Sequence, residues 1–176
     1  VRLARAAVTR AADSLRAEGV PVPDVPIGIM IEVPSAALTI DLLAAEADFV
    51  SIGTNDLIQY TLAVDRTDDR VSGMYAPLHP AILRVLRQVA RGARLAAVPM
   101  SVCGEMAADP AILPLLVGLG LREFSMTPAA IPAGKQVVRG LRLADTVRLA
   151  SRALKAATPA EVERVLAESF SAVKSR

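Results

Sequence analysis

Four short apolar runs recur along the chain, at residues 27–31 (IGIMI), 49–52 (FVSI), 98–102 (VPMSV) and 123–126 (EFSM), each succeeded by a stretch with helical spacing. Runs of this length bounded by turn residues suit buried strands, and the longer stretches between them suit helices. Their alternation predicts right-handed βαβ units and a parallel sheet. The chain has 176 residues, enough for one domain, and 53% are apolar but only 3% aromatic. Its core must therefore be built from Ala, Val, Leu and Ile, as in helices packed on buried parallel strands. The expected fold class is α/β.

The helical stretches place the rest of the chain. Residues 1–18 carry Leu3, Ala7, Ala11 and Leu15 on one stripe, so the sequence opens inside an element, which Gly19 and the Pro-rich 20–26 end. Pro34 and Ser35 open a helix predicted through 45, because proline suits the first turn. Further helices are predicted at 57–64, at 81–93 after His79-Pro80, from Asp109-Pro110 through 117, and at 131–139. The 81–93 helix has a basic outer face. Amphipathic segments at 143–156 and 159–173 close the chain, and residues 65–74 form a polar link. Gly118-Leu119-Gly120 comes after a helix, not a strand, so it marks a helix C-terminus rather than a phosphate loop. Without the Gly-rich first turn of a dinucleotide fold, four β/α units starting mid-pattern predict the second half of a (β/α)8 barrel, a partial domain over residues 1–176.

Several functions are disfavoured. The formal net charge is +2, and clustered basic residues interleaved with aromatics are absent, which argues against nucleic acid. The most apolar stretch, 111–121, is too short for a membrane span and contains Pro114. One cysteine allows no internal disulfide, and no leader pattern opens the sequence, so a reducing cytoplasm is expected.

In parallel α/β folds the chemistry gathers at the carboxyl ends of the strands. There the sequence puts Glu32, then Gly53-Thr54-Asn55-Asp56, then Cys103-Gly104-Glu105. Glu32 comes directly after a buried strand, where a carboxylate is costly unless paired or metal-bound. With Asp56 from the next strand it makes two hard oxygen ligands suited to Mg2+. The bland alternative leaves Glu32 as a strand-end carboxylate and Asp56 as a helix N-cap. Asn55 lies in a turn whose backbone N–H groups could cradle a phosphate, or it is simply a turn or cap residue. Arg66, on the polar link, could clamp a phosphate or carboxylate with its fork of donors, although a single arginine is usually a surface residue. Cys103 could act as nucleophile or proton donor, although a lone buried cysteine is more often inert. His79, the one histidine, precedes a helix and is expected to be structural, which argues against a Cys-His hydrolase and against zinc.

The strings GIMIEVPSAA (28–37), DFVSIGTNDLIQYTLAVDRTDD (48–69), PMSVCGEMAADP (99–110) and GLREFSMTPAAIP (120–132) together resemble the phosphoenolpyruvate-binding barrel of the Enzyme I family of the bacterial sugar phosphotransferase system. The resemblance implies that Glu32 and Asp56 hold Mg2+, that Asn55, Asp56 and Arg66 bind phosphoenolpyruvate, and that Cys103 protonates the enolpyruvate to give pyruvate. In that family a histidine on a separate swivelling domain accepts the phosphoryl group and passes it to a histidine-containing phosphocarrier protein. His79 does not match that histidine. The resemblance also implies a homodimer through the barrel. Neither the swivelling domain nor the first barrel strands are recognisable in this sequence, so the chain is expected to be inactive alone and to self-associate through uncovered apolar faces. A pyruvate phosphate dikinase or phosphoenolpyruvate synthase is the alternative, since both share the Glu, Asn-Asp and Cys-Gly-Glu segments but differ after Asn-Asp. A non-catalytic barrel remnant acting in assembly and a metal-enolate lyase or aldolase complete the set.

Overall fold

Short apolar strands need neighbours to satisfy their backbone, and in the computed structural model, which describes residues 1–174, each finds them in sequence order. The chain runs α1 (Arg2–Ala17), β1 (Gly28–Ile31), α2 (Pro34–Leu38), α3 (Ile40–Ala44), β2 (Phe49–Gly53), α4 (Thr54–Leu62), α5 (Pro80–Leu95), β3 (Met100–Cys103), α6 (Glu105–Ala108), α7 (Leu113–Leu119), β4 (Glu123–Phe124), α8 (Ile131–Gly140), α9 (Leu143–Ala153) and α10 (Pro159–Lys174). Single 3-10 turns occupy Ser72–Met74 and Pro128–Ala130. All strand pairs are parallel and the order is β1-β2-β3-β4, so every crossover steps to the adjacent position. A doubly wound sheet would reverse direction at a switch point, whereas unbroken succession is the pattern of a barrel half. The expected α/β class is observed.

The two sheet faces differ. Val50, Ile52 and Val102 are fully buried and join Ile31, Leu83, Leu86, Leu115 and Leu116 in the core under the helices. The residues between them, Ser51 on β2 and Ser101 and Cys103 on β3, face the other way. The Ser101 hydroxyl donates to the Ser51 oxygen at 3.1 Å, and the Ser51 hydroxyl reaches the Cys103 sulfur at 3.9 Å. Met30 on the edge strand β1 and Phe49 at the start of β2 keep 46% and 40% of their surface exposed. Period-two alternation thus separates an apolar face under helices from a face tolerant of polar groups.

Several sequence expectations shift. The helix expected over 34–45 divides at Thr39, whose backbone leaves helical values (φ −108, ψ 28) and whose hydroxyl donates to the Ser35 carbonyl at 2.8 Å. Local side-chain bonding competes with helix continuation there. Asp109 does not cap a helix directly. Its Oδ1 accepts the Ala111 N–H at 2.8 Å in a turn, α7 starts only at Leu113, and the unforeseen α6 fills Glu105–Ala108. Elsewhere β1 and β4 are shorter than expected, β2 runs on through Gly53, β3 shifts to Met100–Cys103, and α4 begins three residues early, at Thr54. Gly120 does end α7, at φ 111 in the left-handed region. Gly118, two residues earlier, has a packing reason to be glycine, since a Cβ there would lie 2.0 Å from the Thr146 carbonyl oxygen of α9. No helix among the described residues is long and apolar enough to cross a membrane.

Candidate functional site

The carboxyl ends of β1, β2 and β3 lie side by side, because β1 pairs Ile31 with Ile52 and β2 pairs Gly53 with Cys103. The residues just beyond each strand are therefore presented on one rim. Glu32, immediately after β1, stands over the start of α4. A Cβ built on Gly53, the N-cap of that helix, would come within 3.1 Å of both the Glu32 Cβ and Oε2. Asp56 lies in the first turn of α4, where the unpaired N–H groups favour negative charge. It is not the N-cap, so the bland alternative for Asp56 does not hold. Among the described residues no three His, Cys, Asp or Glu side chains form a metal cage. Two carboxylates are nevertheless a donor set suited to Mg2+, which keeps several waters and takes substrate oxygens to complete its shell.

The turn after β3 is locked onto the turn after β2. Thr54, 1% exposed, donates its hydroxyl hydrogen to the Cys103 carbonyl at 2.7 Å, and the Asn55 side-chain oxygen accepts the Glu105 N–H at 3.1 Å. Gly104 between them sits at φ 95, and a Cβ there would fall 2.4 Å from the Thr54 hydroxyl oxygen and 2.9 Å from Asn55 Oδ1. Both the backbone conformation and the close approach demand glycine. Asn55 therefore braces the rim, and its side-chain oxygen is already committed there.

Cys103 ends β3 with its side chain on the polar-tolerant face, partly buried. Its thiol donates to the Ile52 carbonyl at 3.5 Å and receives the Ser51 hydroxyl at 3.9 Å. Among the described residues no hydrogen bond joins the thiol to Glu32, Asn55, Asp56 or Arg66, so the thiol and the carboxylates form separate parts of one rim.

Arg66 is exposed on the link after α4. Its N–H donates to Gln59 Oε1 at 3.3 Å, while neighbouring carboxylates are occupied locally: Asp65 accepts from Thr67 at 2.7 and 2.8 Å, and Asp68 pairs with Arg70 at 2.7 Å. Those bonds hold the Asp65 and Asp68 carboxyls below their ordinary range. Arg66 is left without an ion pair among the described residues.

Tyr75 is a rim residue that no sequence motif singles out. Its hydroxyl donates to the Asn55 carbonyl at 3.5 Å. Burial first, then the Glu105 carboxylate, raises its titration above the ordinary phenol value, with the Asp56 charge adding and the Arg66 guanidinium opposing. The Tyr75 hydroxyl is thus a point where the fields of Arg66, Glu105 and Asp56 meet, which relates the exposed link to the strand ends. The Thr54 brace sits in the strand-end turn that the sequence already marks, and only its partner, the Cys103 carbonyl, is set by the fold. His79, as expected, is structural: its Nδ1 accepts the Ala81 N–H at 3.1 Å and caps α5.

The family described as PEP-utilising enzyme, PEP-binding domain matches residues 1–143. Among curated proteins the chain is similar to the phosphoenolpyruvate-protein phosphotransferase of Staphylococcus carnosus, at 44% identity over 95% of this chain and 29% of the relative. The protein of that name from Cupriavidus necator is 48% identical over 79% of this chain and 24% of its own length. That from Staphylococcus epidermidis is 46% identical over 85% and 26%. The chain thus spans well under a third of these relatives. With a match running from α1 to the start of α9 and taking in every residue of the rim, the chain belongs to the PEP-binding domain family of PEP-utilising enzymes.

Proposed function

We propose that this chain is the phosphoenolpyruvate-binding segment of a phosphoenolpyruvate-protein phosphotransferase, a partial barrel domain that works within a longer cytoplasmic, homodimeric enzyme. The observation that carries the reading is the convergence of Glu32, Asn55, Asp56 and Cys103 on one rim, in a chain whose relatives bear that name. Those names also favour it over the dikinase or synthase alternative.

Glu32 and Asp56 would hold a divalent cation, Mg2+ by the hardness of the donors, whose chemistry when bound is to offset charge on phosphoryl and enolate oxygens. The unpaired N–H groups at the start of α4 and the Arg66 guanidinium, which has no ion pair among the described residues, bind and orient the phosphate. Asn55, braced against Glu105, keeps its amide N–H2 to donate to the substrate. The phosphorus–oxygen bond of phosphoenolpyruvate breaks as the phosphoryl group passes to a histidine outside this chain, which then serves a histidine-containing phosphocarrier protein. The enolate left behind takes the Cys103 thiol proton at C3, its double-bond electron pair forming the new C–H bond of pyruvate. The Ser51 hydroxyl, already directed at the sulfur, steadies the resulting thiolate.

The test is exchange of pyruvate methyl protons with deuterated solvent, monitored by proton NMR, with the full-length enzyme carrying this segment. Cys103→Ala is expected to slow exchange by about 100-fold or more while leaving phosphoenolpyruvate binding intact. Undiminished exchange would remove Cys103 from the proton path.

A further inference from the structure

The basic outer face of α5 has no part in the rim chemistry. Three of its arginines, Arg87, Arg91 and Arg94, join Arg122 from the turn before β4 as walls of an open cavity of ≈ 860 Å³. Ala97 and Val98 before β3 and Gly120 before β4 also line it, which places it at the amino ends of the strands. That is the end of the sheet opposite to Cys103. Along β3 the separation is three residue steps, about 10 Å at ~3.3 Å per residue.

Its charge is unbalanced. Many arginines of the other surfaces are matched to acids: Arg5 with Asp48, Arg16 with Asp13 and Asp24, Arg70 with Asp68, Arg148 with Asp145 and Arg152 with Glu168. Among the described residues none of the cavity's four arginines has an ion pair, and no carboxylate lines the cavity. Arg122 is pre-set as well, with its Nη1 donating to the Val117 and Leu121 carbonyls at 2.7 and 2.8 Å, so part of the entropy of fixing a guanidinium is already lost. Met100, Leu119, Ala150 and Leu154 supply apolar lining beside the arginines.

We propose that this cavity binds a small phosphorylated organic anion, at a site separate from the rim. Guanidinium forks match phosphate oxygens in pairs, and the apolar part of the lining accommodates the carbon body of such a ligand. The volume lies within the roughly 300–1,000 Å³ of small-molecule sites, and a concave wall suits a compact ligand better than an extended polymer. An anion there bridges α5, α7 and the turn into β4, so it would tie the helices that flank β3.

Equilibrium titration of the full chain with ADP and, separately, with inorganic tripolyphosphate at moderate salt tests the proposal. Saturable one-to-one binding is expected for at least one probe. Arg91→Gln and Arg94→Gln, both on an exposed helix face, should each weaken it tenfold or more, whereas Arg10→Gln on α1 should leave it within twofold. Tripolyphosphate binding as tightly as ADP would assign recognition to phosphate alone, and tighter ADP binding would assign part of it to the apolar lining; either supports the site. Asp56→Ala, at the rim, should leave probe binding within twofold, which keeps this test independent of the rim. No saturable binding, equal loss in Arg10→Gln, or equal loss in Asp56→Ala would overturn it.

Discussion

α1 and α5 are both 16-residue amphipathic helices, yet α5 buries seven residues and α1 buries none. On α5, Ile82, Leu83, Leu86 and Val89 are fully enclosed, whereas on α1 Leu3 stays 89% exposed and Leu15 41%. α1 is attached by polar contacts instead: Arg2 to Glu46, Arg5 to Asp48 at 3.1 Å and to the Glu46 carbonyl at 3.0 Å, and Arg16 to the Val22 carbonyl at 3.1 Å. Exposed ion pairs contribute little, typically about 0–1 kcal/mol each. A hydrophobic stripe therefore announces a helix and a face to be covered, but not whether the chain in hand covers it.

The contrast can be broken at four points. Leu86→Ala should cost roughly 2–5 kcal/mol in denaturant unfolding, because it leaves a cavity in the enclosed core. A loss below about 1 kcal/mol would mean that α5 is not the keystone of the packing. Amide hydrogen exchange should come next, with α5 amides opening only on global unfolding and α1 amides exchanging through local fraying. Equal protection would contradict the difference in burial.

Acid should act on the α1 attachment before it acts on α5. The Asp48 carboxyl is held below its ordinary value first by the Ile27 N–H at 2.6 Å and then by Arg5. A depressed carboxyl stabilises the folded state above its unfolded value of about 3.9 and loses that contribution as pH falls through the lower folded value. Protection near Ile27 should hold from neutrality to about pH 4 and fall below it, and Asp48→Asn should flatten that dependence. The smallest effect is expected for Leu3→Ala, within about 0.5 kcal/mol, since nothing in the described chain covers that side chain.

The same contrast marks what could be read from the sequence. Strand and helix alternation, the parallel sheet and the rim positions of Glu32, Asn55, Asp56 and Cys103 were legible, because period and strand-end placement are local. The break at Thr39 was not, since it turns on one hydroxyl choosing the Ser35 carbonyl. Tyr75 as a rim residue and the bracing contact of Thr54 escaped notice because their partners, Asn55 and Cys103, come from other segments. The arginine cavity was half legible: the basic face of α5 shows as a stripe at residues 84, 87, 91 and 94, but Arg122 joins it only through the fold.

A metal-dependent phosphoenolpyruvate site at the carboxyl ends of β1, β2 and β3 is the centre of the proposed function. Calorimetric titration of phosphoenolpyruvate into the chain, with and without Mg2+, in the wild type and Asp56→Ala, tests it most directly. The expected result is saturable binding that requires Mg2+ and weakens at least tenfold in Asp56→Ala, a loss of about 1.4 kcal/mol or more. Binding indifferent to both the metal and Asp56, or none by a folded chain, would contradict it.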